Sequence, residues 1–160
     1  MFEEIYEKVV TQNDELPFQL PEWIATAPFE EFLGMSIEQA EGGRAVLTMP
    51  FKAALCQGKG LMHGGAVVSL ADTALAMAIK SLLPDGTDFV TVRMGLEFHA
   101  PVCWGTVRAD ARVTHQDERD IEGVTEIMTE EGIKAATFKA TFRIRKANST
   151  CCTTNKEQQK

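Results

Sequence analysis

The sequence predicts an α+β fold in which a curved, mainly antiparallel sheet wraps around one long central helix. Three observations lead to this prediction. The apolar run over residues 64–83 is long enough for a helix and has no broad polar face. Segments in which apolar and polar residues alternate outnumber the helical segments. The links between strands after residue 98 are short, which favours antiparallel pairing, and one sheet of this length curls through its own twist.

The N-terminal part is predicted to be partly helical and partly irregular. Residues 1–12 have the apolar spacing of a short amphipathic helix. Three prolines then interrupt residues 16–28, which favours a linker, and PFEEFLG, residues 28–34, fits a short helix that stops at Gly34. The chain is thus predicted to consist of a preface, one domain and a polar, disordered tail, at residues 1–28, 29–146 and 147–160.

The strands are predicted from alternation and turn signals. Residues 35–50 form a hairpin around Gly42-Gly43, and residues 120–146 form another through Gly132. Two further strands lie between the long helix and the second hairpin. In the first of them, the alternation predicts one shared apolar face, made of Val90, Val92, Met94, Leu96 and Phe98.

Composition excludes several classes of protein. The formal net charge of −7 over 160 residues argues against nucleic acid as the main partner, because phosphate backbones are bound by cationic surfaces. The three histidines are scattered without ligand spacing, so no metal site is expected. The four cysteines form no CxxC pair and no signal peptide is visible, which predicts reduced thiols and a cytoplasmic protein.

The apolar run contains one carboxylate, Asp72. Together with Lys80 it argues against a membrane span, because an ionised group near the middle of a span costs about 2.5–3.5 kcal/mol. In a buried helix of a folded domain, Asp72 must be hydrogen-bonded or shifted toward its protonated form. A purely structural acid that ties the helix to a neighbouring backbone is the alternative at this point.

The start of the same helix has the features of an oxyanion site. His63-Gly64-Gly65 places free, partly positive amides where glycine lets a ligand oxygen approach, although a plain capped turn would look the same. Gly64 and Asp72 are about 12 Å apart along one helix. A reacting carbonyl needs both groups within about 3 Å. If both act, they come from different chains, which predicts a homodimer with two sites at its interface.

At this point the residues resemble a known family. The stretch GLMHGGAVVSLADTALAMA, residues 60–78, resembles the hotdog-fold acyl-CoA thioesterases, in the branch of the phenylacetate-degradation (PaaI-like) enzymes. His-Gly-Gly and an acid eight residues after the first glycine both match, and VTVRMGLEFHAPVCWG is similar to the family's next strand. The resemblance covers roughly residues 30–146. It implies hydrolysis of an acyl-CoA thioester, no cofactor beyond the CoA of the substrate, and homodimers that pair into a dimer of dimers.

The resemblance also implies roles for individual residues. Asp72 matches the acid that acts as nucleophile or as general base for water, and the amide of Gly64 matches the one that polarises the thioester carbonyl. His63 matches a histidine that shapes this end of the site through hydrogen bonds. Gln57 falls where an Asn or Gln holds the carbonyl or the water, and Thr91 falls where some members place a water-positioning hydroxyl.

Substrate contacts are predicted from the chemistry of CoA. Its phosphates need local cations, and Gly65 lies beside the carbonyl site, so the predicted substrate-binding residues are Gly65, Lys59, Arg143 and Arg145. Three small or flexible residues of the helix could line an acyl tunnel along it or belong to the core: Ala74, Met77 and Ala78. We favour the core for most of them. Aromatic residues of the preface are candidates to cap such a tunnel: Trp23, Phe29 and Phe32.

Three other interpretations compete with this one. Cys56 is a rival nucleophile on a glycine-rich loop, but no histidine accompanies it in the pattern. An acyl-CoA hydratase or dehydratase on the same fold is a second alternative, which the position of the histidine before the glycines disfavours. A non-catalytic module that binds acyl chains is a third, because a fold does not guarantee an activity.

Overall fold

A computed structural model of the 160-residue chain describes residues 8–19 and 21–145. The helices and strands are α1 (Pro28–Leu33), β1 (Ser36–Glu41), β2 (Arg44–Pro50), α2 (Gly64–Lys80), β3 (Phe89–Phe98), β4 (Thr106–Gln116), β5 (Asp120–Met128) and β6 (Lys134–Ile144). A short 3-10 turn, Ala53–Leu55, lies between β2 and α2. The predicted order of strands and helix is therefore confirmed.

The strands form one six-stranded sheet in the order β1-β2-β4-β5-β6-β3, and every pair of neighbours is antiparallel. Strand β3 pairs with β6, the last strand of the chain, and therefore lies at one edge of the sheet. The long helix packs against β2, β4, β5 and β6. This is the α+β architecture that the sequence predicts, with the sheet wrapped around a central helix.

Parts of the predicted preface and tail are outside the described residues. This applies to residues 1–7 of the predicted N-terminal helix and to the tail at residues 147–160; residues 8–12 are not helical. The short helix α1 is confirmed and ends at Gly34, whose φ of 78° is readily reached only without a side chain. In residues 8–19 and 21–145, no helix is long and apolar enough to cross a membrane.

The long helix is held to the sheet by apolar packing and one buried hydrogen bond. Leu75 is fully buried and lies over Gly123 of β5, where even a methyl group on the glycine would overlap the Leu75 Cδ1 atom. The hydroxyl of Thr125, also fully buried, donates to the carbonyl oxygen of Ala71 at 3.0 Å. These contacts fix the position of the residue that follows Ala71, the acid Asp72.

The helix ends at Lys80, slightly before the predicted end near Leu83. The hydroxyl of Ser81 accepts a hydrogen bond from the amide of Gly43 at 2.9 Å, which ties the chain to the β1–β2 turn. The indole of Trp23 donates to the carbonyl oxygen of Lys80 at 2.9 Å. The bond from Trp23 satisfies a carbonyl that a further helical turn would have used.

The prediction that alternate residues of β3 share one apolar face is wrong for the first half of the strand, before Arg93. The register with β6 shifts between Thr91 and Arg93, so Val92 is the extra residue of a β-bulge. Thr91 is paired with Phe142, and Met94 is paired with Ala140, both of which face the helix. Thr91 therefore shares the helix-facing side with Met94, Leu96 and Phe98, whereas Val90 lies opposite Arg143 on the outer side.

Candidate active site

The loop before α2 positions the start of the helix. The amide of Met62 donates to the carbonyl of Val102 at 2.9 Å, and the amide of His63 donates to the carbonyl of Leu55 at 2.7 Å. The imidazole Nδ1 of His63 then accepts a hydrogen bond from the amide of Gly65 at 2.9 Å. His63 is therefore the N-cap of the helix, and the Gly65 amide is already used.

The amide of Gly64 is the available donor at this helix end. Among residues 8–19 and 21–145, no acceptor bonds to it. It faces a cavity of about 420 Å³ that Phe98 also lines. The Phe98 ring lies against Gly64, since a methyl group on Gly64 would be 3.0 Å from the ring Cζ. A glycine at this position thus leaves room for the ring and for a ligand oxygen at the amide.

Gln57 lines the same cavity from the preceding turn. Its side-chain oxygen accepts from the backbone amide of Lys59 at 2.6 Å, which assigns the side-chain NH2 as the group left for a ligand. Lys59 itself lies at the exposed tip of this turn. The structure therefore brings together Gln57, His63 and Gly64, three of the five predicted catalytic residues.

Asp72 forms a second group with Thr91. The acid is half-buried on α2, and the hydroxyl of Thr91 donates to its Oδ1 at 3.2 Å. Burial raises the pKa of Asp72 because desolvation disfavours the charged form, and the hydrogen bond from Thr91 opposes that rise. The sequence suggests Thr91 only as a water-positioning hydroxyl, and its hydrogen bond to Asp72 is a finding of the structure that the β-bulge at Val92 makes possible.

The two groups are not adjacent within one chain. Gly64 and Asp72 are eight residues apart in one continuous helix, or about 12 Å along its axis. Thr91 lies near Asp72 and Phe98 lies near Gly64, so β3 runs beside the helix between the two groups. The chain thus carries an amide site at one end of β3 and a carboxylate site toward the other.

Two of the three predicted cations for substrate phosphates, Arg143 and Arg145, already have acidic partners. Arg143 donates to both carboxylate oxygens of Asp120, at 2.7 and 3.0 Å, which lowers the pKa of Asp120. Arg145 lies 3.7 Å from the carboxylate of Asp88. Both arginines are at the Asp72 end of the sheet, because Arg143 pairs with Val90 of β3. Their predicted contact with substrate stays a prediction.

Several weaker candidates are also placed by the structure. The thiol of Cys56 donates to the carbonyl of Lys52 at 3.6 Å. Three residues are buried core, as we favour over an acyl tunnel along the helix, and none of them lines the cavity beside Gly64: Ala74, Met77 and Ala78. Trp23 packs edge-on against Phe89 at the C-terminal end of α2, away from Gly64. In the described part of the chain, no group of three or more His, Cys, Asp and Glu residues could hold a metal ion.

The comparisons with known proteins agree with this geometry. The family profile described as "Thioesterase superfamily" matches residues 59–136. The chain is 30% identical over 107 residues to the proofreading thioesterase EntH of Klebsiella pneumoniae, covering 67% of this chain and 78% of EntH. It is 34% identical over 108 residues to the acyl-coenzyme A thioesterase PaaI of Escherichia coli, covering 67% and 75%.

Solved structures agree with the sequence relatives. The structure of E. coli PaaI superposes with a TM-score of 0.70 at 30% identity, over 75% of this chain and 86% of PaaI. The conserved protein PA5202 of Pseudomonas aeruginosa superposes with a TM-score of 0.72 at 28% identity, over 77% and 97%. The resemblance seen in the sequence is therefore confirmed, and the chain belongs to the thioesterase superfamily, the hotdog-fold family of thioester hydrolases.

Proposed function

We propose that this thioester hydrolase cleaves an acyl-CoA thioester into a free acid and CoA. The observation that carries the proposal is the half-buried carboxylate of Asp72, which accepts a hydrogen bond from the hydroxyl of Thr91 on β3. The helix that carries Asp72 also begins with an amide, at Gly64, that no acceptor among the described residues uses. A desolvated carboxylate is a better base or nucleophile than an exposed one. We further propose that the reaction needs no cofactor and takes place in the cytoplasm.

In the proposed reaction, the thioester carbonyl oxygen accepts a hydrogen bond from the Gly64 amide, and the helix dipole stabilises the charge that develops there. As a base, Asp72 takes a proton from water, the hydroxide adds to the carbonyl carbon, and the C–S bond breaks. The CoA thiolate then takes up the proton. As a nucleophile, Asp72 instead attacks the carbonyl carbon, the C–S bond breaks and the CoA thiolate leaves; water then hydrolyses the acyl anhydride, which returns the carboxylate of Asp72 and releases the free acid. Thr91 is positioned to hold the carboxylate in either case, and the NH2 of Gln57 to hold the carbonyl or the water.

We propose that each site is completed by a second copy of the chain. Edge strand β3 exposes four large apolar side chains, which is unusual for an unpaired edge: Val90, Val92, Met94 and Phe98. If two copies of β3 pair antiparallel about a twofold axis at Gly95, opposed residues share one face of the sheet, and the extra residue Val92 brings Thr91 of one copy opposite Phe98 of the other. That pairing carries the Asp72–Thr91 group of one protomer toward the Gly64 group of its partner.

A heterodimer tests this shared site. Asp72→Asn and Gly64→Val are each expected to inactivate the homodimer, the second because the larger side chain meets Phe98 and blocks the amide. Co-expressed with different tags and isolated as a heterodimer, the two variants leave one intact and one doubly altered site, so about half of the wild-type activity is expected. A heterodimer without activity would mean that both residues act within one chain.

The activity itself is tested by thiol release from a series of acyl-CoA substrates. Release of free CoA that depends on Asp72 supports the hydrolase. Two other outcomes would favour the alternatives: conversion of an enoyl-CoA without thiol release indicates a hydratase, and acyl-CoA binding that Asp72→Asn leaves unchanged, without turnover, indicates a binding module.

We also propose that two dimers pair through the outer faces of their sheets. There, Arg112 and Lys139 lie in one cross-strand row, and Asp110, Glu126 and Glu97 lie in the next row along the strands. Under a twofold axis, such rows place cations of one sheet opposite acids of the other. Sedimentation is expected to show tetramers for the wild type and dimers for Lys139→Glu. Adding Glu97→Lys to Lys139→Glu is expected to restore the tetramer. A wild type that sediments as a dimer contradicts the pairing.

A further inference from the structure

The side chain of Phe98 occupies an unusual position for a large apolar residue. It is 59% exposed, although it is on the helix-facing side of β3 opposite Ala136. Its ring reaches the start of α2 and lies over Gly64, where an added methyl group would be 3.0 Å from Cζ and 3.7 Å from both Cε atoms. The ring therefore contacts the residue whose amide is the proposed oxyanion donor.

The cavity next to this ring is apolar. It has a volume of about 420 Å³, within the range of small-molecule sites. Its side-chain walls are Leu61, Met62, Val67, Pro101, Val102 and Phe98. Polar side chains enter it only from Gln57 and His99 among the residues the structure describes, and it has no Lys, Arg, Asp or Glu in its lining.

These properties identify which part of the substrate fits. The phosphates of CoA would lose their hydration in a cavity without cations, whereas an apolar acyl group gains from leaving water. Gly64 lines the cavity, and its amide is the group that binds the thioester carbonyl in the proposed function. An acyl group that extends from that carbonyl into the cavity passes the edge of the Phe98 ring.

We propose that the cavity beside Gly64 is the acyl pocket and that Phe98 is its size-determining residue. This inference rests on the proposed function and adds to it the part of the substrate that the cavity holds. The ring narrows the pocket next to the reacting carbonyl, so small acyl groups are accepted and long or bulky ones are disfavoured. The buried neighbours Met62 and Val67 form another part of the pocket wall.

The experiment compares kcat/KM for acetyl-, butyryl-, octanoyl-, dodecanoyl- and phenylacetyl-CoA in the wild type, Phe98→Leu and Phe98→Ala. Because one methylene in an apolar pocket changes kcat/KM by about 10-fold or more, the ratio of dodecanoyl-CoA to butyryl-CoA is expected to rise by at least about 10-fold in Phe98→Ala. Phe98→Leu is expected to lie between. The control is Leu82→Ala, which shortens an exposed apolar side chain just beyond the C-terminal end of α2, the end far from Gly64, and is expected to leave the ratio unchanged.

A second readout separates this inference from the proposed function. In the Asp72→Asn background, calorimetric titration with dodecanoyl-CoA is expected to show at least about 10-fold tighter binding after Phe98→Ala, whether or not the protein turns over. An equal loss for all substrates, or unchanged substrate ratios and binding, overturns the pocket assignment. Sedimentation and thermal unfolding check that the variants keep the wild-type assembly, and if Phe98→Ala does not fold, Phe98→Leu decides.

Discussion

Replacing Asp72 with Asn is the most direct test of the proposed chemistry. Asparagine keeps the shape of the side chain and an oxygen that accepts the hydrogen bond from Thr91, observed at 3.2 Å. It cannot accept a proton from water or attack a carbonyl as a carboxylate does. Loss of a general base typically lowers turnover by about 10²–10⁴-fold, which corresponds to about 3–5 kcal/mol of transition-state stabilisation.

The same substitution that lowers turnover is expected to preserve or raise the folding stability at neutral pH. Burial raises the pKa of Asp72 above its ordinary value of 3.8, so the folded chain binds the proton more tightly than the unfolded chain does. Folding stability therefore falls as the pH rises from 3.8 through the folded-state pKa, because the buried group becomes charged. Asparagine does not titrate. Asp72→Asn is thus expected to be at least as stable as the wild type at pH 7, with a relative gain that disappears in acid.

Two assays check these expectations. Thiol release from acyl-CoA substrates measures turnover, and urea denaturation between pH 3 and pH 8 at one fixed protein concentration measures stability. Asp85→Asn is the matched control, since Asp85 is exposed in the loop after the helix. The reasoning is refuted if Asp72→Asn keeps more than about a tenth of the wild-type turnover, a loss far smaller than that of a general base.

Three further predictions concern the contacts around this acid. Thr91→Val removes the hydrogen bond that lowers the pKa of Asp72, so the acid limb of the pH–rate profile is expected to move to higher pH; an unchanged limb would contradict the role of Thr91. Gly123→Ala is expected to destabilise the protein by about 1–3 kcal/mol in urea, because the methyl group would overlap Leu75. In the double variant, Leu75→Ala should relieve this overlap, so the combined loss of stability should be smaller than the sum of the two separate losses; strictly additive losses would argue against the overlap. Thr125→Val removes the buried bond to Ala71 and is expected to cost about 1 kcal/mol, measured by the same denaturation; a loss above about 3 kcal/mol would indicate a role beyond this bond.

Much of the fold follows from local patterns in the sequence. The apolar run of α2 has one periodicity and the strands have another, and both depend only on neighbouring residues. The turns are equally local: Gly42, Gly43 and Gly132 all have positive φ values of 55–80°, as their positions between alternating runs suggest. The order of strands and helix, and the acid within the helix, are therefore predictable without coordinates.

The site was only partly predictable, because it depends on pairings that are distant in sequence. The bulge at Val92 adds one residue to β3, and nothing in the composition signals it. Because of this extra residue, Thr91 faces the helix and Val90 faces outward, the reverse of what simple alternation predicts. The alternation in the sequence predicts the face on which Phe98 lies, but its contact with Gly64 depends on how β3 packs beside the start of α2. Likewise, the partners of Arg143 and Arg145 are acids on other segments, so the neutralisation of their charge could not be foreseen.

The capping bond of His63 has a consequence for the chemistry of this residue. An N–H group of the backbone donates to its Nδ1, so that nitrogen holds a lone pair and, in the neutral ring, the hydrogen is on Nε2. The imidazole thus offers a donor and no free basic atom to an incoming molecule.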